Sequence, residues 1–139
     1  MMIDDVPGDL EMKLELVPIP VSDVDRAIAF YVDQIGFNLD HDHTMGETGR
    51  FAQLTPPGSG CSILVSVGLG GGVAEMVPGS HHGLHLVVPS AQAARDRLAA
   101  RGVAVSEVID MGGILFVYFS DPDGNGWVLQ EIPPRFRGG

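Results

Sequence analysis

One order of segments occurs twice in this chain, and that repetition restricts the available folds more than any other feature. An aliphatic run, Leu14-Glu15-Leu16-Val17-Pro18-Ile19-Pro20-Val21, reads as a strand, with its prolines implying an edge or a bulge. Apolar residues then recur at helical spacing at Val24, Ala27, Ile28, Tyr31 and Ile35, between an expected N-cap at Ser22 and a C-cap at Gly36. Three strand patterns follow: Phe37 to about His43, Phe51 to Thr55, and Ser62 to Val67. Roughly 65 residues later the order begins again. Gly83 to Val88 is a strand, Ser90 an N-cap, and Ala91, Ala94 and Leu98 the buried stripe of a helix closed by Gly102. Val103 to Ile109, Ile114 to Phe119 and Trp127 to Ile132 complete the second set. A half of about 55 residues with one helix cannot bury its own sheet, so the two halves must pack together. The expectation is an α+β fold: duplicated βαβββ modules forming a cupped mixed β-sheet, with helices on the outer face and the inner face free to hold a ligand.

The domain boundaries follow from this repeat. Residues 1–11 are expected to be a flexible acidic arm, residues 12–133 a single domain and residues 134–139 a tail. Module one covers about 12–68 and module two about 81–133, with a glycine-rich linker from Gly68 to Gly79. The run Gly68-Leu69-Gly70-Gly71-Gly72 lacks the Lys-Ser/Thr of a phosphate loop. Eight basic residues against 18 acidic ones leave a net charge of −10, which argues against nucleic acid as a partner. No apolar run is long enough for a membrane helix. The acidic start is unlike a signal peptide, and Cys61, the single cysteine, has no internal disulfide partner, so a cytoplasmic location is expected. Lys13 is the only lysine beside seven arginines, a bias that hints at a GC-rich bacterial genome.

Two segments carry a family resemblance. Pro20-Val21-Ser22-Asp23-Val24-Asp25-Arg26-Ala27-Ile28-Ala29-Phe30-Tyr31, followed by Gly36-Phe37, and later Asp121-Pro122-Asp123-Gly124-Asn125, resemble the signature segments of the vicinal oxygen chelate superfamily. That superfamily groups glyoxalase I, bleomycin-resistance proteins, fosfomycin-resistance enzymes and extradiol dioxygenases. The fold hosts unrelated chemistries, so activity must be argued from the site. The resemblance implies a divalent metal held by His, Gln or Glu on the first and last strand of each module. Counted by motif spacing, those positions are Leu16, Gly83, Val128 and Ile63, none of which has a side-chain donor. A one-residue shift would expose Glu15 and His82 but would bring Trp127 or Leu129 to the last strand. No cofactor or metal is therefore expected.

Period-2 alternation from these positions places His85 and Gln130 on the inner face, and offset matching adds Phe51, Gln53, Phe116 and Tyr118. Such an apolar, aromatic lining suits a flat hydrophobic or aromatic ligand oriented by an amide or imidazole. Each residue also has a plainer reading. His85 is either a ligand anchor or an ordinary strand histidine, and the aromatic residues are either lining or core. His41 and His43 alternate on one strand face as a solvated strand end, with chelation, alone or together with His85, as the alternative. The Asp121–Asn125 run reads as a turn whose carboxylates bond their own backbone rather than as an acid/base pair. Cys61 has no evident base partner.

The sequence therefore points to a metal-independent binding protein that sequesters a hydrophobic or aromatic small molecule, as bleomycin-resistance proteins do, with a homodimer completing the pocket. The alternative is a glyoxalase-like lyase, isomerase or dioxygenase, with relocated metal ligands or a metal-free acid/base mechanism. No catalytic residue is identifiable from the sequence.

Overall fold

The computed structural model describes residues 10–70 and 75–134, so most of the expected arm, part of the linker and residues 135–139 lie outside the described residues. Module one runs β1 (Leu16–Pro20), α1 (Val24–Ile28, continuing as a π-helical segment Ala29–Ile35), β2 (Asn38–Met45), β3 (Gly49–Thr55) and β4 (Ser62–Val67). Module two repeats the order as β5 (Leu84–Val87), α2 (Ala91–Ala100), β6 (Ile109–Met111), β7 (Ile114–Ser120) and β8 (Gly126–Glu131). Each module forms its own four-stranded mixed sheet, in the order β1-β4-β3-β2 and β5-β8-β7-β6. In both, the first strand lies parallel to the last and the remaining pairs are antiparallel. The α+β class and the duplicated βαβββ order agree with the sequence expectation; the sheets are not closed.

Alternation assigns two faces to each sheet. Ala52, Leu54, Ile63 and Val65 of module one and Val117, Phe119, Trp127 and Leu129 of module two join the helices in one buried cluster. The opposite face of each sheet, called here the cup face, carries exposed apolar side chains instead, among them Met45, Val87, Ile109, Met111 and Tyr118. Burial on one side and exposure on the other is what period-2 patterning dictates for a sheet that packs on one face only.

The widened helix end has a packing consequence. Phe30 and Tyr31 are adjacent yet both buried, and the amides of Gly36 and Phe37 both bond the Tyr31 carbonyl, at 2.9 and 2.8 Å. An extra residue in the turn brings two neighbouring aromatics toward the core, a placement a regular α-turn separates by 100°. Gly36, at φ +102°, then turns the chain into β2 in a conformation that L side chains rarely adopt.

Two local expectations are corrected. The N-cap of α1 is Asp23, which accepts the Arg26 amide at 3.0 Å, and not Ser22, whose side chain is engaged with the other module. Ser90 does cap α2, accepting the Ala93 amide at 3.1 Å. The strand expected over Val103 to Ile109 is confined to Ile109–Met111. Val103 and Val105 alternate, and Val108 joins them, because they pack on the core, while Ser106 bonds Tyr118 through its amide and its hydroxyl in place of a ladder. Alternation records burial, which a packed extended segment shares with a strand.

Candidate ligand-binding site

The cup face of module two gathers four of the residues expected from sequence. His85 stands opposite Val128, Val128 opposite Tyr118, and Phe116 opposite Gln130, so all share one face across β5, β8 and β7. The ring of His85 meets that of Phe116 edge-on at a centroid distance of 6.3 Å, and its Nδ1 lies 2.7 Å from the Gly83 carbonyl. Ile109, opposite Phe116 on β6, extends the apolar surface. A cavity of ≈ 530 Å³ opens beside this face, with Tyr118, Val128, Gly83, His82, Ser120 and Trp127 in its walls. That volume lies within the range of drug-sized ligand sites.

Phe51 and Gln53 lie on the other sheet. Phe51 pairs with His43 and Ser66, and Gln53 with His41 and Leu64, so their cup face is a second, more polar surface. His41 and His43 stack at 5.9 Å, and His43 continues onto Phe51 at 5.3 Å. Between the two histidines, Asp42 points to the helix side, where Arg50 bonds it at 2.9 and 3.1 Å and holds its carboxyl below the usual range.

Sequence reasoning missed several lining residues. His82 borders the cavity from outside the strands, and no pattern in the sequence marks it, whereas Ser120 ends β7 on the same face as Tyr118 and follows from alternation. Val87, Ile109 and Met111 were findable, because each lies two residues or one strand away from a residue already assigned to the face.

The metal positions implied by the family resemblance lie on or next to β1, β4, β5 and β8. Leu16 pairs with Ser62 on the cup face of module one, and Val128 lies on that of module two beside the side-chain-free Gly83. Ile63 is a correction: it pairs with Leu54 and is buried on the helix side, leaving Ser62 and Leu64 toward the cup. The offset between the modules shrinks along the repeat, and a one-residue slip exchanges the faces of a strand. These residues do not fit a divalent metal, since leucine, glycine and valine supply no lone pair there. Among the described residues, no three His, Cys, Asp or Glu converge into a metal-holding group; His41 and His43 sit on one sheet and His85 on the other.

The Asp121–Asn125 segment is a turn, as expected, and also a clasp between the modules. Asp121 and Asn125 are buried. The Asp121 carboxylate accepts the Asp123 and Asn125 amides, the Asn125 side chain and the Tyr31 hydroxyl, all between 2.8 and 3.0 Å. Asn125 donates on to the Pro20 carbonyl at 2.8 Å, and Trp127 donates to the Tyr31 oxygen at 2.9 Å. Burial, with the nearby Asp121 charge, pushes the Tyr31 phenol well above its ordinary range. At the rim, Asp123 accepts from the Ser22 hydroxyl (2.6 Å), the Ser22 amide (3.1 Å) and Arg26 (2.8 Å). Partial burial opposes ionisation of Asp123, but these donors outweigh it and hold the carboxyl below its usual range. The two signature segments thus bind each other.

Fold and site define a paired βαβββ domain with an aromatic sheet face beside a sizeable cavity. The chain belongs to the Glyoxalase/Bleomycin resistance protein/Dioxygenase superfamily, whose family model matches residues 13–129. It is similar in structure to TnmS3, an antibiotic binding protein from Streptomyces sp. CB03234, with 36% identity and a TM-score of 0.78 over 88% of this chain and 98% of that one. A glyoxalase/bleomycin resistance protein from the same Streptomyces strain is 38% identical with a TM-score of 0.72, over 84% of this chain and 98% of that one. The uncharacterized protein YetH of Bacillus subtilis (strain 168) is 25% identical over 123 residues, covering 86% of this chain and 98% of the relative. No helix among the described residues is long and apolar enough to cross a membrane.

Proposed function

We propose that this protein binds and sequesters a hydrophobic or aromatic small molecule, as an antibiotic-binding protein does, without a metal and without turning its ligand over. The observation that carries the reading is the cup face of module two, where Tyr118 and Val128 line the ≈ 530 Å³ cavity, Phe116 and His85 continue the same face, and side chains without donors stand at the implied metal positions. A flat ring system gains there by burial and by stacking on aromatic faces, while Gln130 and His85 supply the few polar contacts that orient it. The similarity to TnmS3 supports this choice among the superfamily's activities.

In this reading the protein acts as a homodimer in the bacterial cytoplasm. Met45 on the first cup face and Val87, Ile109, Met111 and Tyr118 on the second are all exposed. A partner's cup face laid against them would remove that apolar surface from water and enclose a ligand on both sides. Phe51, Gln53, His41 and His43 would then form the opposite wall of a pocket floored by Phe116 and Tyr118.

A thermal-shift and fluorescence screen with aromatic natural products tests the reading. Trp127 is the only tryptophan and borders the cavity, so binding should change its emission. A specific ligand at a hundred times its Kd should add about 2.7 kcal/mol of stability. No response across a broad panel, or turnover of a bound compound, would overturn sequestration; one tightly bound divalent ion per chain by elemental analysis would overturn the metal-free part.

A further inference from the structure

We propose a second ligand site, separate from the cup, at the junction of the two modules: an apolar slot that takes a small monocarboxylate with a hydrophobic body, its carboxylate held by Arg97. The described basic side chains of this acidic chain are nearly all engaged. Among the described residues, Lys13, Arg26, Arg50 and Arg95 each pair with a carboxylate, and Arg101 donates to the Gln34 carbonyl. Arg97 alone has a side chain with no hydrogen bond or ion pair among the described residues. Its guanidinium is exposed to solvent and open to an anionic ligand, and its surroundings say which kind would suit it.

Arg97 stands at the mouth of two adjoining cavities of ≈ 190 and ≈ 270 Å³ that share Val88, Ala94 and Arg97 in their walls. The first runs between the modules, from Phe37 and Pro57 of module one to Leu86, Leu98 and Leu129 of module two. Arg97 is its only charged or polar side chain. An apolar slot closed by one cation matches an amphiphilic monoanion: the body is buried against aliphatic walls, and the fork of the guanidinium meets a carboxylate with two parallel hydrogen bonds. A phosphate would leave further anionic oxygens facing aliphatic carbon, which favours the carboxylate. The volume suits a single ring or a short alkyl chain, smaller than the ligand proposed for the cup.

The slot meets the cup face only at Val87. Val88 bonds the Gln130 carbonyl through its amide, but Tyr118 and Phe116 lie on the other side of the sheet. Calorimetric titration of the full chain with phenylacetate, and with phenylacetamide as its neutral isostere, tests the proposal, with amide chemical shifts mapping the location. Phenylacetate should bind at submillimolar concentration and shift Leu98 and Val88. Arg97→Gln should weaken it about tenfold, as should the neutral isostere, and Tyr118→Ala should leave it unchanged. Arg97 is exposed, so the substitution tests recognition and not folding. The proposal fails if phenylacetate does not bind at millimolar concentration, if Arg97→Gln leaves its affinity unaltered, or if the shifts map to the cup.

Discussion

The hydroxyl of Tyr31 donates to the carboxylate of Asp121 at 2.8 Å, joining two buried side chains 90 residues apart, one from each module. The same oxygen accepts the Trp127 indole N–H, so one phenol links helix α1 to both ends of the β7–β8 turn. Tyr31→Phe keeps the ring, which packs on Phe37 and Trp127 at 5.5 and 5.7 Å, and removes only the hydroxyl. It leaves a buried carboxylate and an indole donor each short of one partner. The expected loss is about 2–3 kcal/mol of unfolding free energy, read from urea denaturation, with the unfolding still a single transition.

Alkaline pH offers a second reading of that phenol. Its folded pKa lies above the unfolded value of about 10, so the unfolded chain releases this proton first and stability falls as pH rises past about 10. Tyr31→Phe should flatten this part of the stability profile, measured as the denaturation midpoint between neutral and strongly alkaline pH.

Asp123 behaves in the opposite sense. Its folded pKa is held below the unfolded value of about 3.9, so its contribution is present above that pH and is lost as pH falls through the folded pKa. Asp123→Asn should cost roughly 1–3 kcal/mol at neutral pH by weakening the bonds to Ser22 and Arg26, and the variant should be less sensitive to acid below about pH 4. Equal acid sensitivity in the two proteins would assign the acid limb to other carboxylates.

At the cup, Phe116→Ala and Tyr118→Ala should each weaken a bound aromatic compound by about tenfold or more, with little effect on stability, because stacked aromatic contacts contribute about 0.5–1.5 kcal/mol beyond their buried area. The check is a titration followed by Trp127 emission. Val117→Ala, on the other face of β7 and fully buried, should show the reverse: about 1–3 kcal/mol of lost stability and nearly unchanged affinity.

The proposed dimer makes a separate prediction. Ile109→Glu with Met111→Glu puts two charges on an exposed apolar edge without touching the shared core. Light scattering should then find a monomer where the parent chain is a dimer, and ligand affinity should fall with it. A parent chain that is monomeric at high micromolar concentration would remove the partner's wall from the model of the pocket.

The amount legible from sequence differed by segment. Ser90 and Gly36 cap their helices as read, since a cap is chosen by its immediate neighbours. Ser22 did not, because Asp123 from the far module competes for its hydroxyl and leaves the cap to Asp23. His85, Phe116, Tyr118 and Gln130 share one sheet face, which alternation within a single module is enough to predict. Ile63 faces the helices instead, because the offset between the modules drifts and a one-residue slip exchanges the faces of β4.

By itself the sequence determined what depends on periodicity and short-range chemistry: the duplicated βαβββ order, the positions of most strands, which residues of β7 and β8 share a face, and the absence of donors at Leu16, Gly83 and Val128. The tertiary structure decided what depends on where the modules sit against each other. It turned the Asp121–Asn125 turn into a clasp for Tyr31, Trp127 and Pro20, assigned Phe51 and Gln53 to a separate sheet from Phe116 and Tyr118, and brought Arg97 to the mouth of a slot between the modules. The physical reason is range. Alternation and capping act over a few residues and are written in adjacent letters, whereas a hydrogen bond between residues 90 or 105 positions apart exists only once two complete sheets have packed.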